Sequence, residues 1–193
     1  MSTADAIVLA GGRASRMGGV DKPGLVIGGR SMLDAALAAV AGCARTVVVG
    51  PPRPNLAPQI RQVREAPAGS GPVAAIEAGL AELGGSGAAL VAVLAADMPF
   101  LTAEAIDELC ERATRSGADA VFAADSDGRP QYLVGVWRRS ALRAALDGLD
   151  SVVNQPMKAI VPARTEIVEL SGAVQASLAD CDTPEELRRA RAL

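Results

Sequence analysis

The sequence predicts an α/β protein, one three-layer α/β/α domain over residues 1–193 built on a mostly parallel sheet. Three observations carry this. Short apolar runs alternate with longer stretches of helical pattern along the chain. That alternation is the pattern of strand, crossover helix, strand. The composition is 50% apolar but holds only two Phe, one Tyr and one Trp. The core must therefore be built from Ala, which favours helices, with Leu and with Val/Ile clusters, which favour strands. Finally, 193 residues suit one domain with a sizeable core rather than two.

The elements follow in order. Ala6–Leu9 reads as a buried first strand. Met32–Ala41 is the first helix; Ser31 before it and Asp34 three residues on form a near capping box. Thr46–Val49 is the second strand. The stretch Gly50-Pro51-Pro52-Arg53-Pro54 behind it is proline-rich but too short for a domain linker. Ile60–Arg64 is a strand, Pro72–Leu83 a helix and Ala89–Leu94 a strand. Val91–Leu94 is apolar on both faces, as a central strand should be. Ala103–Ser116 is a helix, Ala120–Ala123 and Leu133–Trp137 are strands with Trp137 in the core, Arg139–Leu146 is a helix and Glu166–Glu169 a strand. Pro184–Ala192 is the last helix, with Thr183 as N-cap, Pro184 at the first position and Glu186 at the third.

Bulk properties exclude several functions. A net charge of −3 argues against a nucleic-acid partner, which selects a basic face. The chain has no histidine. Ser-His-Asp and Cys-His catalysis and histidine metal sites are thereby excluded. Any bound metal must take oxygen ligands, which points to a hard ion such as Mg²⁺. Cys43, Cys110 and Cys181 are odd in number and form no CxxC. They read as reduced, buried thiols of a cytosolic protein. No apolar leader precedes Asp5, and no apolar run approaches the ~20 residues of a membrane span. The expectation is a soluble, cytoplasmic protein with no membrane partner.

The chemistry concentrates in residues 9–24, LAGGRASRMGGVDKPG, which hold five glycines and four charged residues. The stretch follows the first strand, and ligands of open α/β sheets sit outside the strands' carboxyl ends. Glycines there admit backbone N–H groups to phosphate oxygens, and Arg13, Arg16 and Lys22 add positive charge. The loop reads as an anion site for a polyphosphate. It is not a Walker A loop, because Lys22 is followed by Pro23 rather than Ser or Thr. A weak GxGxxG variant, Gly69-Ser70-Gly71-Pro72-Val73-Ala74, opens the second helix and offers its N-terminus to an anion. It follows the third strand rather than the first, which argues against a nicotinamide site. Asp97 ends an apolar strand before Met98-Pro99. It either starts a turn or holds Mg²⁺ in the crevice.

LAGGRASRMGGVDK resembles the LAGGxSxRMGxDK signature of the nucleotidyltransferases, most closely the molybdenum cofactor guanylyltransferase family. Gly71-Pro72-Val73-Ala74, Ala96-Asp97-Met98-Pro99-Phe100-Leu101 and Asp182-Thr183-Pro184-Glu185-Glu186-Leu187 resemble three further segments of that family, in the same order. The resemblance implies a Rossmann-like nucleotidyltransferase fold, as in the nucleotide-diphospho-sugar transferases. It implies Mg²⁺-dependent transfer of GMP from GTP to a molybdopterin-type phosphate monoester, with molybdoenzymes or cofactor carriers as protein partners. The backbone of Leu9, Ala10, Gly11 and Gly12 is expected to cradle the nucleotide. Arg16 and Lys22 are expected to neutralise phosphate charge, with Lys22 as the main catalytic assistant. Asp97 is expected to hold the metal and touch the nucleotide, with Asp182 as a second metal ligand. Asp21 is expected to orient the loop by hydrogen bonds.

The chain departs from the family at two places. Gly50 stands where an Asn commonly follows the second strand, and Ala66, beside Glu65, where an Asp follows the third. In the family those positions help to hold base and ribose. The closing Asp180-Cys181-Asp182 is reminiscent of the cytidylyltransferase branch, whereas LAGG and RMGGVDK are not. Alternatives to guanylyl transfer are thus a cytidylyltransferase, a sugar- or alcohol-phosphate nucleotidyltransferase, or a non-catalytic nucleotide-binding partner in cofactor delivery. Arg129 and Lys158 are candidates to meet an anionic acceptor.

Overall fold

The computed structural model describes residues 4–11, 21–85, 87–175, 185, 187 and 188. Nine strands and five helices are assigned among them: β1 (Ala4–Leu9), β2 (Val26–Ile27), β3 (Arg30–Ser31), α1 (Met32–Ala39), β4 (Thr46–Val49), β5 (Arg61–Val63), α2 (Pro72–Leu83), β6 (Leu90–Ala95), α3 (Ala103–Ser116), β7 (Ala120–Ala124), β8 (Pro130–Arg138), α4 (Arg139–Asp147), β9 (Thr165–Val168) and α5 (Gly172–Gln175). Tight 3₁₀ turns cover Lys22–Gly24 and Met157–Ala159.

Seven strands form one sheet in the order β5-β4-β1-β6-β8-β7-β9. The pairs β5/β4, β4/β1, β1/β6 and β7/β9 are parallel. β8 alone runs against its neighbours β6 and β7 in this sheet. The mostly parallel expectation therefore holds, with one reversed strand. β8 is reversed because β7 turns directly back through Asp125–Arg129, where the Asp125 carboxylate accepts the N–H groups of Asp127 and Arg129. No crossover helix fits in so short a connection.

Strand alternation divides the core into two layers. Ala6 and Val8 of β1 face one side, with Leu33 and Ala36 of α1 and Ile106 and Leu109 of α3. Ile7 and Leu9 face the other, with Ile76 and Leu80 of α2 and Leu142 and Leu146 of α4. Trp137 is buried there, as expected, with its ring edge-on to Phe122 at 5.1 Å. β1 and β6 are buried along their full lengths. Ser31 caps α1: the Asp34 N–H donates to Ser31 Oγ at 3.0 Å, and that hydroxyl, rather than the Ser31 backbone N–H of a full capping box, donates to the Asp34 carboxylate at 2.6 Å.

Two elements differ from the sequence expectation. β2 and β3 form a small hairpin about Gly28-Gly29, both at positive φ, the backbone that two-residue hairpin loops require. The helix expected at Pro184–Ala192 falls mostly outside the described residues. Of it, Glu185, Leu187 and Arg188 are helical, and Leu187 packs with Ile27 and Met32.

Among the described residues, a buried charge sits near the start of the central strand β1. Asp5 of β1 is fully buried and paired with Arg139 at the start of α4, whose guanidinium also donates to the Ala88 carbonyl at 2.9 Å. Removing one partner of such a pair leaves a desolvated charge behind. Arg139→Ala should therefore lower stability by about 3–5 kcal/mol, read as a reduced midpoint in urea at unchanged slope.

Candidate active site

β1, β4 and β6 end level with one another. Leu9 is in register with Val49 on one side and Ala95 on the other. Backbone bonds continue one step beyond the strands. Ala10 N–H donates to the Val49 carbonyl at 2.8 Å, Ala96 N–H to the Leu9 carbonyl at 2.9 Å and Gly50 N–H to the Val63 carbonyl at 2.9 Å. Ala10, Gly50 and Ala96 thus lie side by side along one sheet edge. Of the nucleotide cradle expected from sequence, Leu9 and Ala10 are buried and Gly11 is exposed. Gly12 and Arg16 lie outside the described residues, as does Asp182.

Lys22 and Asp97 meet at this edge. Lys22 begins the 3₁₀ turn Lys22–Gly24, and Asp97 lies two residues beyond β6. The ammonium Nζ donates to Asp97 Oδ2 at 3.1 Å, with the lysine side chain 12% exposed and the carboxylate 30%. The segment carrying Lys22 is anchored from behind. Met32 N–H donates to the Leu25 carbonyl at 3.0 Å, and Met32, Ile27 and Leu187 pack together with Leu25 and Phe100. Phe100 follows Asp97 in sequence, so one small apolar cluster supports both members of the pair.

Asp21 does bond, as expected, and its partner is Arg53. Arg53 Nη2 donates to Asp21 Oδ1 at 2.5 Å, and Nη1 donates to Oδ2. These bonds hold the Asp21 carboxyl below its ordinary pKa. The folded value is the lower one, so the stability contributed by the contact is present above the unfolded carboxylate pKa of about 3.9. It is lost only as pH falls through the folded value. The contact is therefore intact across neutral pH.

The loop from β5 to α2 leaves the same sheet edge, beside Gly50. Glu65 is buried, and its Oε1 accepts the Gly69 N–H at 2.7 Å. This carboxylate, beside the Ala66 departure, shapes the loop. Ser70 is buried with its hydroxyl donating to the Pro67 carbonyl at 2.6 Å. α2 then starts at Pro72 with no side-chain cap on its N-terminus.

The acceptor candidates are less tightly placed. Arg129 is exposed in the β7–β8 turn and pairs with Asp127, and Lys158 is exposed in the Met157–Ala159 turn. No hydrogen bond or ion pair among the described residues links either to Lys22 or Asp97. Burial pushes the Cys43 thiol up to about 12 and the Cys110 thiol up to about 11, so both are protonated and poorly nucleophilic at neutral pH.

Sequence reasoning passed over Arg53. The signal was present: a single arginine among prolines, just past a strand's carboxyl end. Gly50 also gains a physical reason. A Cβ there would stand 2.7 Å from the Ala10 carbonyl carbon, 2.8 Å from its oxygen and 2.9 Å from Gly11 N. All three are backbone atoms and cannot swing aside. Gly50→Asn, which restores the residue common in the family, should therefore lower stability by about 1–3 kcal/mol in thermal or urea unfolding.

Comparison with known proteins bears on the family and the fold. Residues 6–166 match the MobA-like NTP transferase domain. A probable molybdenum cofactor guanylyltransferase from Mycobacterium bovis (strain BCG / Pasteur 1173P2) is 36% identical over 163 residues, covering 81% of this chain and 78% of that one. A molybdenum cofactor guanylyltransferase from Acidiphilium cryptum (strain JF-5) is 36% identical over 152 residues, covering 74% and 72%. The solved structure of molybdopterin-guanine dinucleotide biosynthesis protein A from Archaeoglobus fulgidus shares the fold, with a TM-score of 0.70 at 22% identity and 97% of each chain covered. A 2-C-methyl-D-erythritol 4-phosphate cytidylyltransferase from Thermus thermophilus shares it too, with a TM-score of 0.66 at 20% identity and 97% coverage of each. The matched domain takes in the strand that leads into the glycine-rich loop, Lys22 and Asp97, and on these grounds the chain belongs to the MobA-like NTP transferase family, a nucleotidyltransferase family.

Proposed function

We propose that this nucleotidyltransferase transfers GMP from GTP to molybdopterin-bound molybdenum cofactor, releasing pyrophosphate and forming molybdopterin guanine dinucleotide. The observation that carries the reading is the Lys22–Asp97 pair, set at the edge where β1 runs into the glycine-rich loop. The relatives named above supply the choice of GTP and acceptor.

The acceptor is a phosphate monoester, whose second pKa is near 6, so it is already mostly dianionic at neutral pH. An oxygen of this monoester attacks the α-phosphorus of GTP. The bond to the bridging oxygen of the β-phosphate breaks, and pyrophosphate leaves. No proton need be removed from such a nucleophile. That fits a chain without histidine, whose described thiols are protonated. What remains is alignment and neutralisation of charge. Lys22 Nζ neutralises the triphosphate and the charge that develops on the leaving pyrophosphate, and Arg16 adds a second cation. The backbone of Leu9, Ala10, Gly11 and Gly12 cradles the nucleotide.

The donor set at this edge suits Mg²⁺. Asp97 offers hard carboxylate oxygens, and no group of three acidic, thiol or imidazole side chains forms a complete cage among the described residues. Mg²⁺ is usually held by one or two carboxylates, with phosphates and water completing its shell. Asp97 would hold it, with Asp182 as the second ligand, and the ion would supply charge neutralisation to the phosphates. The reading places one nucleotidyltransferase domain over residues 1–193 in the cytoplasm, handing product to molybdoenzymes or cofactor carriers. No helix of the described residues is long and apolar enough to cross a membrane.

The test is transfer of label from α-³²P GTP, with Mg²⁺ and molybdopterin-bound molybdenum as acceptor. Lys22→Ala and Asp97→Asn should each lower turnover by about 10²–10³-fold, the range for losing one preorganised electrostatic contact. Transfer from CTP in preference to GTP would move the protein to the cytidylyltransferase branch. Nucleotide binding without transfer to any acceptor would make it a non-catalytic partner.

A further inference from the structure

The guanidinium of Arg53 touches the chain on both sides of the glycine-rich loop. Nη2 donates to the Ala10 carbonyl at 3.4 Å and to Asp21 Oδ1 at 2.5 Å, and Nη1 donates to Asp21 Oδ2. Ala10 belongs to the buried start of that loop, and Asp21 immediately precedes Lys22. One side chain therefore spans the loop's two ends. Arg53 is itself held. Its backbone N–H donates to Gln62 Oε1 at 3.1 Å, and Gln62 Nε2 donates to the Pro51 carbonyl at 2.7 Å. Its side chain is only 16% exposed.

The surroundings leave room for this contact and little else. A Cβ on Gly24 would stand 2.5 Å from Asp21 Oδ2 and 3.7 Å from Arg53 Nη1, so any larger residue there would crowd the pair. Gly50 lets the backbone of Ala10 come within the same reach. The two-pronged contact matches the planar fork of arginine, which a lysine does not reproduce.

We propose that Arg53 is a positioning residue for nucleotidyl transfer: by tying Ala10 to Asp21 it sets the distance between the two ends of the glycine-rich loop, and through Asp21 it places Lys22 Nζ against Asp97 and the bound triphosphate. The role of Lys22 in this statement rests on the nucleotidyl-transfer reading; the tie itself does not. Arg53 acts through its neighbours and is not a catalytic residue.

The chain has only two lysines, Lys22 and Lys158, which gives a direct probe. Reductive ¹³C-methylation labels both, together with the N-terminal amine, and Lys158→Arg assigns the remaining lysine signal. Arg53→Ala and Arg53→Lys should each shift the Lys22 resonance. Asp21→Asn, a milder change at a carboxylate 56% exposed, should shift it in the same direction and serves if the Arg53 variants fail to fold. A Lys22 resonance unmoved in all three would overturn the proposal. The second arm is a kinetic cycle. Arg53→Ala should lower kcat by about 10–100-fold with little change in KM, as a misplaced catalytic group does. In a Lys22→Ala background the same change should cost less than about threefold, because the two residues act as one unit. Costs that simply multiply would show that Arg53 does not work through Lys22. If the wild-type protein transfers no nucleotide while the resonance still shifts, the tie stands and the nucleotidyl-transfer reading falls.

Discussion

Everything at the candidate site depends on how β1 is held. It lies between two parallel strands and is buried along its whole length. Such a strand cannot slip by one residue without moving Ile7 and Leu9 from one core layer to the other. Its last residue is thereby locked level with Val49 and Ala95, and the backbone bonds of Ala10, Gly50 and Ala96 carry that alignment past the strands. The glycine-rich loop leaves a rigid edge at a set place. A carboxylate two residues beyond β6 then falls within reach of a lysine 75 residues earlier.

The Lys22–Asp97 contact is half of a larger electrostatic arrangement. Its lysine is mostly shielded from water, so its charge acts through a lower effective dielectric than on an open surface. The ammonium and the carboxylate compensate one another across 3.1 Å. A polyphosphate with a divalent cation offers each member a stronger partner: phosphate oxygens for the ammonium and a metal ion for the carboxylate. The Asp21–Arg53 contact beside it is compensated within the protein and lies one residue from Lys22 in sequence. One pair is suited to exchange with ligand and the other to hold the frame.

Much of this was legible in the sequence, for identifiable reasons. Val/Ile runs marked the strands, and α2 and α3 fall at the residues read from pattern alone because Pro72 and Thr102–Gly117 punctuate them clearly. Lys22 and Asp97 stood out by residue type and their place after strands, and their roles by the resemblance to the nucleotidyltransferase signature. The β2–β3 hairpin was missed because two-residue strands carry no periodicity, although Gly28-Gly29 marked the turn. β8 begins at Pro130, earlier than its apolar run, because pairing with β7 extends through polar residues and a bulge after Phe122. Its reversed direction follows from turn length and leaves no mark in hydrophobic pattern. Arg53 was not legible as part of the site because its partner lies 32 residues away and only the folded sheet brings them together. The tolerance for Gly50 was hidden for a related reason: it comes from the backbone of Ala10 and Gly11, not from any neighbour in sequence.

If the edge formed by β1, β4 and β6 binds a magnesium nucleotide through Lys22, the nucleotide must stabilise the folded protein through that residue. The most direct measurement is thermal unfolding of the purified protein with Mg²⁺ and each of GTP, CTP, ATP and UTP, beside Lys22→Ala. A ligand at one hundred times its Kd adds about 2.7 kcal/mol to the folded state. For a chain of this size that raises Tm by about 5–10 °C. Tm should rise further with GTP than with the other nucleotides, and the rise should be lost in Lys22→Ala. No rise with any nucleotide, or an equal rise in the variant, would contradict binding through Lys22.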